Sequence, residues 1–307
     1  MNPTTKAWLQ IHFCVVLWGF TAIIGKLITL ESLPLVMWRM SIVALILLAL
    51  PRIRNSLREM NTKLLLAYTG IGVLVCVHWL TFYGAIRLAN ASVAVTCIAT
   101  VPAFLAILEP FLAGRRFRFS ELFLGLLVLP GIALVVGGTP DSMNSGIVMG
   151  LFSALAVAVF AALNKRYVLK ADPLTVTAIE MAAGGALLLV LGALYSQLEW
   201  LPSVPGIVVS AEDIFGMSQR NDLLWLLLLA FACTLLPFAL SLVALRQLSA
   251  YASALAINLE PLYAIALAAL LLGEQQEVSA GFYIGAALIM AVVLIYPWWT
   301  RRQSRPD

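Results

Sequence analysis

Charged residues make up only 11% of this 307-residue chain, and it has two histidines and four cysteines. The shortage of charge excludes an ordinary water-soluble domain, in which about a quarter of the residues are charged and needed to cover the surface. His12 and His78 lie far apart in sequence and offer no metal-binding pair. Cys14, Cys76, Cys97 and Cys233 lack the short spacings of metal or redox motifs, and each falls in an apolar run, so they read as small hydrophobes. A glycine-rich phosphate loop with its lysine is absent, which argues against an ATP-driven pump. There is also no Gly-x-Ser-x-Gly elbow and no acidic pair placed for hydrolysis. Neither an enzyme nor a cofactor is expected.

What the chain has in excess is apolar sequence: 62% of its residues, with a mean hydropathy of +0.99. A helix crosses the hydrocarbon core in about 20 mostly apolar residues. Ten segments meet that length, near 8–29, 33–50, 64–86, 90–112, 119–137, 147–168, 174–197, 223–245, 249–271 and 279–298. Pro34 and Pro173 sit in the first turn of the second and seventh, where a missing N–H costs little. The first run, beginning near Trp8, reads as a retained helix rather than a cleaved leader. Connections are short except for 199–222, whose Glu212 and Asp213 suit an aqueous loop. The expected fold is an all-α, multi-pass membrane protein of ten transmembrane helices.

The net charge of +4 does not point to nucleic acid, because the basic residues lie between apolar runs. With both termini cytoplasmic, Lys6, the clusters Arg52–Lys63, Arg115–Arg118 and Lys165–Lys170, Arg246 and Arg301–Arg305 all fall inside, against Arg87 and Arg220 outside. The positive-inside rule selects that orientation.

Laid over itself, the chain pairs Arg87 with Arg246, Ala91 with Ala250, Pro102 with Pro261, Gly114 with Gly273 and Ser120 with Ser279 at one constant spacing. Lys26 pairs with Lys165 and Pro34 with Pro173 at a shorter spacing, and the difference matches the 199–222 insertion. We read two five-helix repeats, residues 1–138 and 139–307. An odd number of crossings puts the second copy upside down, and inverted repeats place a substrate site near the midplane between the halves.

In these features the chain resembles the drug/metabolite transporter superfamily, and within it the EamA-type permeases. The residues that carry the likeness are Leu17-Trp18-Gly19-Phe20 with Lys26, Pro34 with Arg39, Pro102, Asn258-Leu259-Glu260-Pro261 and Leu272-Gly273-Glu274. The chain departs from the pattern where the fourth span ends: Gly114-Arg115 stands where family members often have Gly-Glu, so Glu274 is read as a loop acid. The resemblance implies transport of small metabolites, often amino acids or related compounds and frequently outward across the bacterial inner membrane.

An ionisable side chain in mid-span costs roughly 2.5–3.5 kcal/mol on insertion scales, so each one marks a cavity, a partner or an interface. Glu260 is the first candidate: it lies mid-span beside Asn258 and before Pro261, and it suits a cationic substrate group or a coupling proton. Lys26 and Arg39 are expected round one outer vestibule, where they either attract an anion or snorkel. His78 and Trp79, with Tyr83 one turn on, suit a pocket for a flat or apolar group, although Tyr83 is also placed for an aromatic belt. Trp18 is a mid-span cavity candidate. Thr100 gives the fourth span a polar centre at the break marked by Pro102, mirrored at Pro261. Glu180 is expected as a gate, a coupling group or an ion pair. Glu109 reads as a salt bridge to Arg115 or Arg116, and His12 as interfacial.

The reading that follows is a monomeric secondary transporter of small polar, amino-acid-like metabolites, exporting by alternating access, with the lipid bilayer and a small-molecule substrate as partners. A proton-coupled importer and a non-transporting scaffold are the alternatives.

Overall fold

The computed structural model describes residues 2–197, 203–208, 214–216, 220–257 and 259–303. It is built of helices, and no strand occurs among the described residues, where the only pairing is an isolated bridge between Val204 and Val208. Among the described residues, seven helical segments are long and apolar enough to cross a membrane: Pro3–Leu27, Ser32–Ala49, Thr62–Leu88, Ala91–Ala113, Asp141–Tyr167, Pro173–Gln197 and Asn221–Leu245. Shorter apolar helices are Phe119–Leu126, Leu129–Gly137, Glu260–Leu272 and Ala280–Val292. Large side chains such as Phe111, Phe119 and Leu270 lie more than 70% exposed on the perimeter. A surface of that kind belongs in lipid.

Local chemistry sets the helix ends. Asn2, Asn61 and Asn90 each accept a backbone N–H of the first turn that follows them, leaving fewer orphan donors. Gly114 (φ 71°) and Gly273 (φ 72°), equivalent positions of the two repeats, close their helices in the left-handed conformation that glycine adopts without a Cβ clash.

Among the described residues, helices break at Phe20, at Ala99–Thr100 before Pro102, at Leu127–Val128 and at Leu259 before Pro261, the second and fourth of these at equivalent positions of the sequence repeat. Two π-turns add to these, at Phe231–Leu235, just before Pro237, and at Ala268–Leu272.

The two halves of the chain interleave. Asn144–Tyr167 packs on Thr62–Leu88, Pro173–Gln197 packs on Ser32–Ala49 and Thr62–Leu88, and Pro3–Gly19 packs on Leu236–Leu245. At the crossing of Thr62–Leu88 with Pro173–Gln197, a Cβ on Gly72 would stand 2.4 Å from the Glu180 carbonyl oxygen, so only glycine permits the approach. All four cysteines are buried and free, as their apolar settings suggest, and no cluster able to hold a metal occurs among the described residues.

Candidate functional site

Where these helices meet they enclose a cavity of about 120 Å³. That is room for about four waters, the scale of a small metabolite. Residues from before the repeat boundary, Trp18, Thr21, Arg39, His78 and Trp79, face residues from after it, Phe160, Asn164, Phe238, Ser253 and Glu260.

Arg39 is the centre of the polar wall. It is 1% exposed, with Nε donating to Thr234 Oγ1 (2.5 Å), Nη1 to the Tyr83 hydroxyl (2.8 Å) and Nη2 to the Cys233 carbonyl (3.0 Å). Its flat face lies 3.9 Å from the Trp79 ring centroid, a cation–π contact. A guanidinium has five N–H donors, so these bonds fix its plane and leave two donors over. The Thr234 and Cys233 partners exist because the π-turn at Phe231–Leu235 turns a carbonyl and a hydroxyl off the helix axis.

Glu260, in the first turn of Glu260–Leu267, is buried, and among the described residues it has no ion-pair partner. The cavity therefore carries a cation and a carboxylate that attract one another without touching. It can take a molecule bearing both charges, or a neutral polar one, between them.

His78 adds an acceptor. The Ser153 hydroxyl spends its one hydrogen on the His78 carbonyl (2.9 Å), so its 2.7 Å contact with Nδ1 places the ring proton on Nδ1 and leaves Nε2 with a bare lone pair. Phe82 and Phe160 flank the ring, with centroids 5.9 and 5.7 Å away.

Of the residues singled out from sequence, the structure brings Trp18, Arg39, His78, Trp79 and Glu260 to one cavity. Arg39 is not at an outer vestibule with Lys26: buried partners hold it inside, whereas the Lys26 amine lies against Glu274 at 2.7 Å and does not line the cavity. Tyr83 is buried behind Arg39 as its hydrogen-bond partner, neither lining the cavity nor forming an interfacial belt. Thr100 turns its hydroxyl back to the Cys97 carbonyl (2.7 Å) and is also outside the cavity. Asn258 lies outside the described residues. Glu180 sits behind the wall, fully buried, with Asn164 Nδ2 at 3.4 Å and no ion pair among the described residues. Sequence reasoning missed Asn164, Ser253 and Thr234. The signal for Asn164 was available, since an amide inside an alanine-rich span raises the same question as Glu260.

Two buried carboxylates, one from each half of the chain, cap helices of the other half. Glu274 is 1% exposed rather than a loop acid; it accepts from Lys26 Nζ (2.7 Å), the Ala91 and Ser92 N–H groups (3.1 and 2.9 Å) and the Ser92 hydroxyl (2.8 Å). Burial alone lifts its carboxyl, but the hydrogen bonds from Lys26, Ser92 and Ala91 outweigh burial and hold it below the usual carboxylate range. At the opposite end Glu109 accepts from the Ala250 and Tyr251 N–H groups (both 3.0 Å) and pairs with Arg115 at 3.3 Å, the partner its spacing suggests. Arg87 donates to the Ile28 and Leu30 carbonyls (2.8 and 2.6 Å), and its repeat mate Arg246 donates to the Ala171 carbonyl (2.8 Å). Lys165, the repeat mate of Lys26, donates to the Leu245 and Leu248 carbonyls, both at 2.7 Å.

The model of the EamA-like transporter family matches the chain twice, over residues 5–137 and 144–296. A solved structure described only as a protein crystal structure superposes with a TM-score of 0.66 at 17% identity, covering 98% of this chain and 99% of that one, which shows a shared fold. No curated protein gives a significant sequence match.

Proposed function

The chain belongs to the EamA-like transporter family, and from that footing we propose that it moves small zwitterionic metabolites, amino-acid-like in size and charge, through the Arg39–Glu260 cavity. The observation that carries the reading is the separation of those two charges. Arg39 keeps two donors for a carboxylate, Glu260 has no cation of its own, and the aromatic walls of Trp18, Trp79, Phe82 and Phe160 suit an apolar side chain. The two matched stretches support reading residues 1–138 and 139–307 as two repeats; five helices in each, inverted, make ten crossings, and the positive-inside rule puts both termini in the cytoplasm. The protein then works as a monomer in the bacterial inner membrane, exports its substrate, and rocks one repeat against the other so that the capped ends open alternately.

The test is flux from liposomes loaded in turn with amino acids, amines and carboxylates, for wild type, Glu260→Gln and Arg39→Lys. The expected result is that amino acids are carried, that single-charge amines and carboxylates are carried poorly, and that both variants lose flux. Equal handling of all three classes, or flux indifferent to both substitutions, overturns the reading.

A further inference from the structure

Behind the cavity wall, Glu180 on Pro173–Gln197 meets Asn164 on Asn144–Tyr167. Glu180 is 0% and Asn164 2% exposed. Asn164 Nδ2 donates to Glu180 Oε2 at 3.4 Å, while Glu180 Oε1 and Asn164 Oδ1 have no hydrogen-bond partner. In the ionised state that leaves two buried acceptors with no donor, one of them on a bare charge, which a site of this depth does not tolerate. One proton on Oε1 turns it from a bare acceptor into a donor, which is what Asn164 Oδ1 lacks, and leaves the Nδ2···Oε2 contact in place. Turning the amide over sets Oδ1 against Oε2, acceptor against acceptor.

The surroundings offer no cation to replace that proton. From Thr62–Leu88 the titratable neighbours are Tyr68, whose hydroxyl donates to the Tyr167 carbonyl at 2.9 Å, and the buried thiol of Cys76, which packs at Gly184; neither can carry a positive charge. Arg246, beyond Leu236–Leu245, is held by the Ala171 carbonyl, and Arg39, from Ser32–Ala49, is held by Thr234, Tyr83 and Cys233. Arg52, from Pro51–Glu59, pairs with Asp172. Asn164, unlike Glu180, also lines the cavity.

We propose that Glu180 and Asn164 form a proton-binding site distinct from the Arg39–Glu260 pair, with Asn164 linking it to the cavity, so that substrate passage is tied to proton movement. When the cavity hydrates and water reaches past Asn164, the Glu180 proton passes to it, and the carboxylate keeps the Asn164 Nδ2 bond while water donates to Glu180 Oε1 and Asn164 Oδ1. When the cavity dries, the proton returns. The proposal rests on the transporter reading for its use, but the proton itself can be seen without transport.

Infrared difference spectra of the purified full-length protein, titrated from acid to alkaline pH, test the site. The expected result is a protonated carboxylic-acid carbonyl band at neutral pH that disappears in Glu180→Gln, persists in Glu260→Gln, and moves to higher frequency in Asn164→Ala as its hydrogen bond is lost. A spectrum unchanged by Glu180→Gln overturns the proposal, and Asn164→Ala keeps the test alive should the first variant fold poorly. In vesicles carrying a radiolabelled mixture of L-amino acids, a proton gradient is expected to stimulate wild-type flux several-fold, whereas Glu180→Gln retains exchange without that stimulation. Undiminished stimulation in Glu180→Gln overturns the coupling. Vesicles with no flux for any protein, together with the Glu180 band, leave the proton site standing and fault the transporter reading instead.

Discussion

Glu274 caps the helix that starts at Ala91, and Glu109 caps the helix that starts at Ala250, each reaching from its own half of the chain into the other. Both carboxylates are 1% exposed and both receive two backbone N–H groups, the donors that a helix start leaves without partners. Each therefore ties its own repeat to the broken helix of the opposite one. Opening either end of the bundle means breaking that end's set of bonds.

The cap at Glu274 carries a pH signature. Its carboxyl sits lower in the folded protein than in an unfolded chain, where it titrates near 4.3, so its stabilisation is fully present above that unfolded value and is lost as pH falls through the folded one. Replacing it with Gln is expected to cost about 1–3 kcal/mol at neutral pH. Thermal unfolding in detergent across acid pH should show wild type converging on Glu274→Gln at the acid end and separating from it above the carboxylate range.

Arg39 and its partners predict an asymmetry between two mild substitutions. Arg39→Lys keeps the charge but cannot reach Thr234, Tyr83 and Cys233 together, so substrate affinity is expected to fall by at least tenfold. Tyr83→Phe removes one bond of the three, with a loss of about 1 kcal/mol. Isothermal titration of the amino acid that gives the largest flux distinguishes the two.

Gly72 and Gly70 share one helix but predict opposite outcomes. Alanine at Gly72 would push into the backbone of Glu180, and we expect destabilisation of about 1–3 kcal/mol. At Gly70 nothing lies within 4 Å, so alanine should be neutral or should stabilise by up to about 1 kcal/mol through helix propensity. Unfolding midpoints of the two variants check the crossing point directly.

Ser253 lines the cavity with a hydroxyl that has no hydrogen-bond partner among the described residues. Ser253→Cys is therefore expected to react with a small methanethiosulfonate reagent faster than any of the four buried native cysteines, and to be protected by transported substrate. Mass spectrometry after timed labelling reads both effects.

Much of this architecture was legible in the sequence because its causes are local. Apolar length, proline positions and the spacing of Arg87 with Arg246 or Gly114 with Gly273 depend only on composition and order along the chain. What escaped depends on partners brought from far away. Arg39 read equally well as a snorkelling side chain, since nothing nearby announces Thr234 and Cys233, which a π-turn in a helix of the second repeat presents to it. Glu274 looked idle because Arg115 fills its mirror position, yet Glu109 does the corresponding work from an earlier turn of the same helix. Repeat symmetry was conserved in the structure at the level of the capped helix, not of the aligned residue.

The crossed caps also fix an order of completion. A chain emerges N-terminus first, so the helix beginning at Ala91 is made long before Glu274 exists, and in the interval Asn90 is the local side chain that meets its first amides. The helix beginning at Ala250, by contrast, emerges to find Glu109 already in place. One of the two caps can therefore form as the chain is made, while the other waits until Glu274 has been delivered.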